Sequence, residues 1–210
     1  MSSEITVVVN GALGRMGTTV LSAAVAESGV TPIGGVDIAA TSNSVDIAGT
    51  SITVPLADNI LTFIESTKPD VVVDFTNGES AKQSILTCIN GGVRVVSGST
   101  GLSEHDLEEI QQASLDAGVG VILASNFALG GVVLMHLAGI ASKYFDYADL
   151  LESHHEMKVD APSGTALSIA QSMIDGRGND FEQNVADLQT LNGTRGGDFQ
   201  GINIHSARMP

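Results

Sequence analysis

Residues 152–166 read Glu-Ser-His-His-Glu-Met-Lys-Val-Asp-Ala-Pro-Ser-Gly-Thr-Ala, a crowding of proton-transfer groups and oxyanion binders found nowhere else in the chain. Lys158 lies four residues after His154, so a turn can bring a titratable imidazole close to a fixed positive charge. Pro162 presets φ, and Ser163-Gly164-Thr165 can then open a helix whose first N–H groups lack intrahelical partners and so hold an anion. Such a combination suits an acidic substrate that must receive a proton. Taken singly, the histidines are a polar strand end, Lys158 a solvated side chain and Ser163 an ordinary N-cap. Taken together the pattern is more specified than a cap requires. Adjacent histidines on a strand point to opposite faces, and the chain has one Cys, so no metal site is expected.

Those residues need a scaffold, and the composition supplies one. The 210 residues are 43% hydrophobic with 24 Gly, enough for one large or two small globular α/β domains. Nine basic residues against 24 acidic give a net charge of −15, which repels nucleic acid and anionic lipid, so neither is an expected partner. The same field repels an anionic substrate, so the useful cations must be concentrated at the site, with Lys158, Arg195 and Arg208 as candidates. Cys88 cannot form an internal disulfide and sits in an apolar helical pattern as a small core residue. With no basic leader and no apolar run near about 18 residues, a cytoplasmic protein is expected.

The chain opens with a β-branched run, Ile5 to Val9, then Gly11-Ala12-Leu13-Gly14-Arg15-Met16-Gly17 and an Ala- and Val-rich helix to about Glu27. Strand, glycine turn and helix are the parts of a dinucleotide site, although Gly-x-x-Gly-x-x-Gly is not the commoner spacing and by itself also fits a tight turn. A second strand, Thr31 to Val36, ends at Asp37, where a carboxylate can accept ribose hydroxyls. The segment from Ala39 to Asn59 reads as turn-rich and irregular. Helices then alternate with strands at Asp70–Phe75, Val93–Val96 and Val119–Ala124, each strand ending in small polar residues. In an open parallel sheet that edge binds ligands, so Thr76, Thr100 and Asn126 would line one crevice. After Phe127 the pattern changes. A helix over Ala128–Phe145, a strand over Asp149–Ser153 that carries the His pair, a helix from Thr165, a polar stretch to Gly201 and a strand over Ile202–Arg208 make a second, β-containing part.

Glu-x-His-His-x-x-Lys-x-Asp-Ala-Pro-Ser-Gly-Thr-Ala resembles the signature of the dihydrodipicolinate reductase family, and Gly-Ala-x-Gly-Arg-Met-Gly, Asp-Phe-Thr at 74–76, Gly-x-Thr-Gly at 98–101 and Ser-Asn-Phe at 125–127 resemble its cofactor loops. The resemblance implies a Rossmann-like doubly wound parallel sheet over residues 1–127 and a smaller α+β substrate and oligomerisation domain over 128–210. It implies nicotinamide-dependent reduction of 4-hydroxy-tetrahydrodipicolinate in lysine and diaminopimelate biosynthesis. His154 and Lys158 would be the acids, and His155, Ser163, Gly164, Thr165 and Arg208 would hold a small dicarboxylate substrate. Gly11, Ala12, Gly14, Arg15, Met16, Asp37, Phe75, Thr76, Gly98, Ser99, Thr100, Ala124, Ser125, Asn126 and Phe127 would hold NADH or NADPH. NADH is expected to be preferred, since Ile38 stands where family members often have an Arg after the acidic residue. Family members carry further C-terminal strands and form homotetramers, so this chain is expected to lack that end. Two other readings stay open: a reductase of another cyclic imine or enoate, and a non-catalytic dinucleotide sensor.

Overall fold

Val7, Val8 and Val9 are all buried in the first strand, β1 (Ile5–Asn10), because the strand lies at the middle of a sheet covered on both faces. The structure, a computed structural model, describes residues 4–124, 126–183, 188 and 190–210. It forms two units, Met1–Ala124 and Ser125–Pro210; the sequence pattern had put the division after Phe127.

In the first unit β1 leads through α1 (Arg15–Ala26) to β2 (Val30–Val36), and then through β3 (Ser44–Asp46), β4 (Thr53–Ala57) and α2 (Ile60–Thr67) to β5 (Val71–Asp74). The chain continues as α3 (Gly78–Asn90), β6 (Arg94–Ser97), α4 (Glu104–Ala117) and β7 (Val121–Leu123). The sheet order is β3-β4-β2-β1-β5-β6-β7, and every pair is parallel except β3 with β4. The chain therefore reverses its direction of travel at β1, the switch point that in doubly wound sheets opens a ligand crevice at the strands' C-terminal ends. Period-two alternation builds the two faces. Val8, Val72 and Val95 pack with Phe63, Ile85 and Ile110 from α2, α3 and α4, whereas Val7 and Val9 pack with Leu21 of α1 and with Ile47 and Val54.

The segment expected to be irregular contains both β3 and β4. Thr53-Val-Pro-Leu-Ala57 alternates, with Val54 and Leu56 buried at 4% and 6% exposure. Pro55 disguised it, since proline ordinarily argues against a strand. The ladder with β2 runs only through Gly35↔Leu56 and Val36↔Ala57, so the missing N–H of Pro55 falls outside it.

The second unit comprises α5 (Leu129–Ser142), β8 (Asp149–His155), α6 (Gly164–Arg177), β9 (Gly197–Phe199) and β10 (Ile202–Met209). β10 is the central strand, parallel to β8 and antiparallel to β9. Ala166, Ala170 and Ile174 of α6 close over Phe181, Ile202 and Ile204. On its other side α6 meets α5 closely: a Cβ added to Gly176 would lie 1.9 Å from the Gly139 carbonyl oxygen. Among the described residues no helix is long and apolar enough to cross a membrane.

Candidate active site

At the end of β1 the backbone turns at Gly11 with φ +79°, and an added Cβ there would lie 2.6 Å from the Phe75 carbonyl oxygen. Gly17 is tighter still, its added Cβ 2.0 Å from the Gly11 oxygen. These two glycines serve the fold. Gly14 does not: it has an ordinary extended backbone (φ −72°, ψ 164°), and an added Cβ would meet only the Gly11 oxygen, at 3.3 Å. It is the N-cap of α1 and offers no side-chain cap, so the first-turn N–H groups of Arg15, Met16 and Gly17 lack intrahelical partners. An exposed, side-chain-free approach to a bare helix end fits a pyrophosphate. Ala12 is fully buried beneath this turn, and Leu13, Arg15 and Met16 are exposed above it. Asp37 binds the turn from the end of β2: its Oδ2 accepts from the Leu13 N–H at 2.9 Å and its Oδ1 from the Ala39 N–H at 3.0 Å. Each carboxylate oxygen keeps a lone pair for a ribose hydroxyl.

Asp74, fully buried at the end of β5, organises the neighbouring loops. Its Oδ1 accepts from Asn10 Nδ2 at 2.7 Å and Thr76 Oγ1 at 3.0 Å, and its Oδ2 from Ser97 Oγ at 2.9 Å and Ser99 Oγ at 2.7 Å. Ser99 Oγ also accepts from the Thr76 N–H at 2.8 Å, so the loops after β5 and β6 are joined through one carboxylate. Close approaches reinforce the joint. A Cβ on Gly98 would lie 2.1 Å from the Phe75 ring, and one on Gly78 would lie 2.4 Å from the Gly101 oxygen. Thr100 is exposed on the same loop, and Ala124 N–H donates to the Ser97 carbonyl at 3.1 Å. Ser125 lies outside the described residues.

In the second unit, alternation along β8 puts Glu152 and His154 on one face and Ser153 and His155 on the other. Parallel pairing sets Ser206 beside Glu152 and Arg208 beside His154. The Glu152 side chain is only 8% exposed. Its Oε2 bonds His154 Nδ1, and its Oε1 accepts from Arg208 Nη1 at 3.0 Å. Burial pushes the Glu152 carboxyl up, but hydrogen bonds from Ser206, Arg208 and His154 together with the Arg208 charge outweigh it, and the carboxyl lies below its ordinary value. Arg208 also donates to the Ala207 and Asp160 carbonyls, while its Nε is buried without a partner among the described residues.

After β8 the chain turns through a bond from the Lys158 N–H to the His155 carbonyl, and Lys158 Nζ pairs with Asp160 Oδ1 at 2.6 Å. That hydrogen bond holds the Asp160 carboxyl below its ordinary range. Ser163 then caps α6, its Oγ accepting from the Ala166 N–H at 3.1 Å, which leaves the N–H groups of Gly164 and Thr165 as first-turn donors. Asn126 Oδ1 accepts from the Ala128 N–H at 2.7 Å, and its Nδ2 lies 3.5 Å from Thr165 Oγ1. Phe127, next to it, is half exposed.

A cavity of about 550 Å³ gathers Asn126, Glu152, His154, Ser163 and Thr165 over an apolar wall that includes Met173. His155, Lys158, Gly164 and Arg208 do not line it. Arg195 lines a separate cavity of about 190 Å³ with Tyr147 and Glu182. A larger groove of about 810 Å³ lies by Lys68 and Gly92, at the N-terminal ends of β5 and β6, away from every candidate residue. Among the described residues, a group able to hold a metal is His105, Asp106 and Glu109 on α4, where Lys82 already pairs with both carboxylates at 2.7 and 2.8 Å.

A family model described as the dihydrodipicolinate reductase N-terminus matches residues 5–127, and one described as its C-terminus matches residues 130–210. The chain belongs to the dihydrodipicolinate reductase family. A 4-hydroxy-tetrahydrodipicolinate reductase of Dehalococcoides mccartyi strain CBDB1 is 39% identical over 208 residues, 99% of this chain and 78% of that one. One from Bacillus velezensis is 37% identical over 212 residues, 100% of this chain and 79% of that one. The structure of dipicolinate-bound dihydrodipicolinate reductase from Paenisporosarcina sp. TG-14 matches with a TM-score of 0.78 and 31% identity, covering 98% of this chain and 79% of that one.

Two residues stand out in this reductase that motif reading had not placed in the site. Glu152 sits two positions before His154, a spacing that on a strand means a shared face. Asp74 closes a buried strand, where a carboxylate demands partners that lie far away in the sequence.

Proposed function

We propose that this chain reduces 4-hydroxy-tetrahydrodipicolinate to tetrahydrodipicolinate in lysine and diaminopimelate biosynthesis, in the cytoplasm, with the cofactor on the first unit and the substrate on the second. The observation that carries the reading is the cavity in which His154, fixed by Glu152, shares a wall with the capped end of α6. Dipicolinate, the ring dicarboxylate held by the Paenisporosarcina relative, matches those chemical demands in kind.

Gly11, Ala12, Gly14, Arg15 and Met16 would surround the pyrophosphate of a nicotinamide cofactor, Asp37 its ribose, and Phe75, Thr76, Gly98, Ser99, Thr100, Ala124, Asn126 and Phe127 the nicotinamide side. The 4-hydroxyl of the substrate leaves with a ring proton as water, which makes a cyclic unsaturated imine, and C4 of that imine takes up the hydride that a bound nicotinamide cofactor would supply. The Gly164 and Thr165 N–H groups and the Ser163 and Thr165 hydroxyls hold a substrate carboxylate, and His155 would add a contact from the β8 face opposite His154, outside the cavity lining. The electron pair displaced by hydride addition reaches the ring nitrogen, and His154, with Lys158 as the second acid, delivers the proton that quenches it. NADH is the preferred cofactor, since the Asp37 carboxylate repels a 2′-phosphate and Ile38 beside it is 88% exposed and uncharged. Assembly into a homotetramer through the second unit, given the further strands of its relatives, belongs to the same reading.

The test is NAD(P)H oxidation with freshly made dihydrodipicolinate synthase product. Turnover is expected. Lys158→Ala should lower kcat by roughly 10²- to 10⁴-fold, the scale of a positioned acid, with NADH affinity unchanged. Lys158→Arg should restore substrate affinity better than turnover, because guanidinium keeps the charge without an accessible proton. Turnover confined to another cyclic imine would replace the substrate, and cofactor binding without turnover on any would make the chain a sensor.

A further inference from the structure

We infer that Glu152 is the positioning residue that makes His154 a proton donor through Nε2, with Arg208 acting on the reaction by holding Glu152 in place. The inference rests on the reading of His154 as an acid of the site.

A buried carboxylate bonded to Nδ1 requires a proton on that nitrogen, so the neutral ring must be the Nδ1–H tautomer and Nε2 is left to face a ligand. The same carboxylate favours the imidazolium, in which Nε2 also carries a proton. Arg208 fixes the other oxygen at 3.0 Å. Its second Nη reaches the Asp160 carbonyl, so the guanidinium bridges β10 to the turn after β8 and Glu152 is held between two donors. The charged residues that line the cavity with His154 are Glu152 and Asp149 of β8; Arg208 of β10 sits on Glu152, and the Lys158–Asp160 pair lies on the turn that follows. The residues that α5 and α6 contribute to the cavity, Leu134, Ala138, Thr165 and Ile169 among them, carry no charge. A negative charge with limited exposure thus lies on the ring nitrogen remote from the ligand, the arrangement that polarises the other one. In the step itself the Nε2–H bond breaks and an N–H bond forms at the substrate nitrogen that gained the electron pair. The two electrons come from the nicotinamide cofactor as hydride, the imidazole is left neutral, and solvent returns the proton.

Glu152→Gln tests this, because it removes the charge at almost unchanged volume. Turnover requires a proton on Nε2, so kcat falls at alkaline pH. Gln can still accept from Nδ1–H but carries no charge to hold the second proton, so the alkaline limb of kcat should move to lower pH, with KM changing little. A uniform loss of activity with the limb in place would mean a merely structural role and overturns the inference. His154→Ala run alongside separates the two claims. Wild-type turnover in that variant sinks His154 as the acid, whereas a roughly 10²-fold or greater loss with an unshifted limb in Glu152→Gln sinks only Glu152. If the Gln variant does not fold, ¹H–¹⁵N correlation of His154 in the unmutated protein decides: Nδ1–H in the neutral ring supports the inference and Nε2–H overturns it.

Discussion

Gly14 and Gly17 differ in what a side chain would meet, and the difference separates binding from folding. At Gly14 the backbone is ordinary and an added Cβ would meet only the Gly11 oxygen, at 3.3 Å, a tight contact relieved by a small shift, so Gly14→Val should fold with a slightly lowered unfolding midpoint and lose NADH affinity, measured by calorimetry, because a branched side chain would stand where the pyrophosphate is proposed to approach. Gly17→Ala should do the reverse. Its Cβ would meet the Gly11 backbone oxygen at 2.0 Å, and the overpacking should cost at least roughly 1–3 kcal/mol in chemical denaturation. Asp37 yields a second prediction at this scale: the ratio of kcat/KM for NADH to that for NADPH should exceed one, and Asp37→Ala should narrow it. Equal specificity constants in the unmutated protein would assign the choice to the loop beyond Ile38. The motif glycines were legible as a group, but not which served the fold, because that depends on contacts with Phe75 and with the turn itself. Glu152 and Asp74 were illegible as site residues for a related reason: the partners of Glu152 include Arg208 on another strand, and those of Asp74 come from β1, β6 and two loops.

At the scale of elements, α4 shows how far local signals reach. Ser103 and Asp106 form a capping box, with Asp106 N–H donating to Ser103 Oγ at 3.2 Å and Ser103 N–H donating to Asp106 Oδ2 at 2.9 Å, and the sequence marks both partners. Ser103→Ala should cost about 1 kcal/mol of stability, the usual value of an N-cap. A hydrogen bond from Lys82, then those from Ser103, hold the Asp106 carboxyl below its ordinary value of 3.8. A depressed carboxyl stabilises the fold above its unfolded pKa and loses that contribution as pH falls through the folded one. Unfolding midpoints of the unmutated protein and Asp106→Asn should therefore differ near neutral pH and converge below pH 3.8. β4 marks the limit of the same reasoning. Pro55 reads as a breaker, and only the position of the β2 ladder makes it harmless. β9 was hidden differently, in a polar, Gly-rich stretch, since three residues paired with β10 carry no periodicity of their own.

For the whole molecule, a net charge of −15 sets a condition on any anionic substrate. The chain must offer local attraction against its own field, and the first-turn N–H groups of Gly164 and Thr165, which the Ser163 cap leaves over, would provide it in the second unit. In the proposed reading the N-terminus of α1, which has no side-chain cap, would receive the cofactor pyrophosphate in the first unit. The doubly wound parallel sheet followed from a pattern that recurs along the chain, strand, polar turn and helix, and for that reason was legible from the start, whereas β3 and β4 at its edge were not. Which atoms of each part meet a ligand depended on pairings such as Arg208 with Glu152. The central claim is that this chain carries out hydride transfer from a nicotinamide cofactor to a cyclic imine dicarboxylate. The most direct measurement supplies NADH carrying deuterium in turn at each C4 position, together with synthase product, and weighs the tetrahydrodipicolinate by mass spectrometry. The account predicts product heavier by one deuterium from one of the two labelled cofactors and none from the other. Unlabelled product from both, or no product while the cofactor still binds, would contradict it.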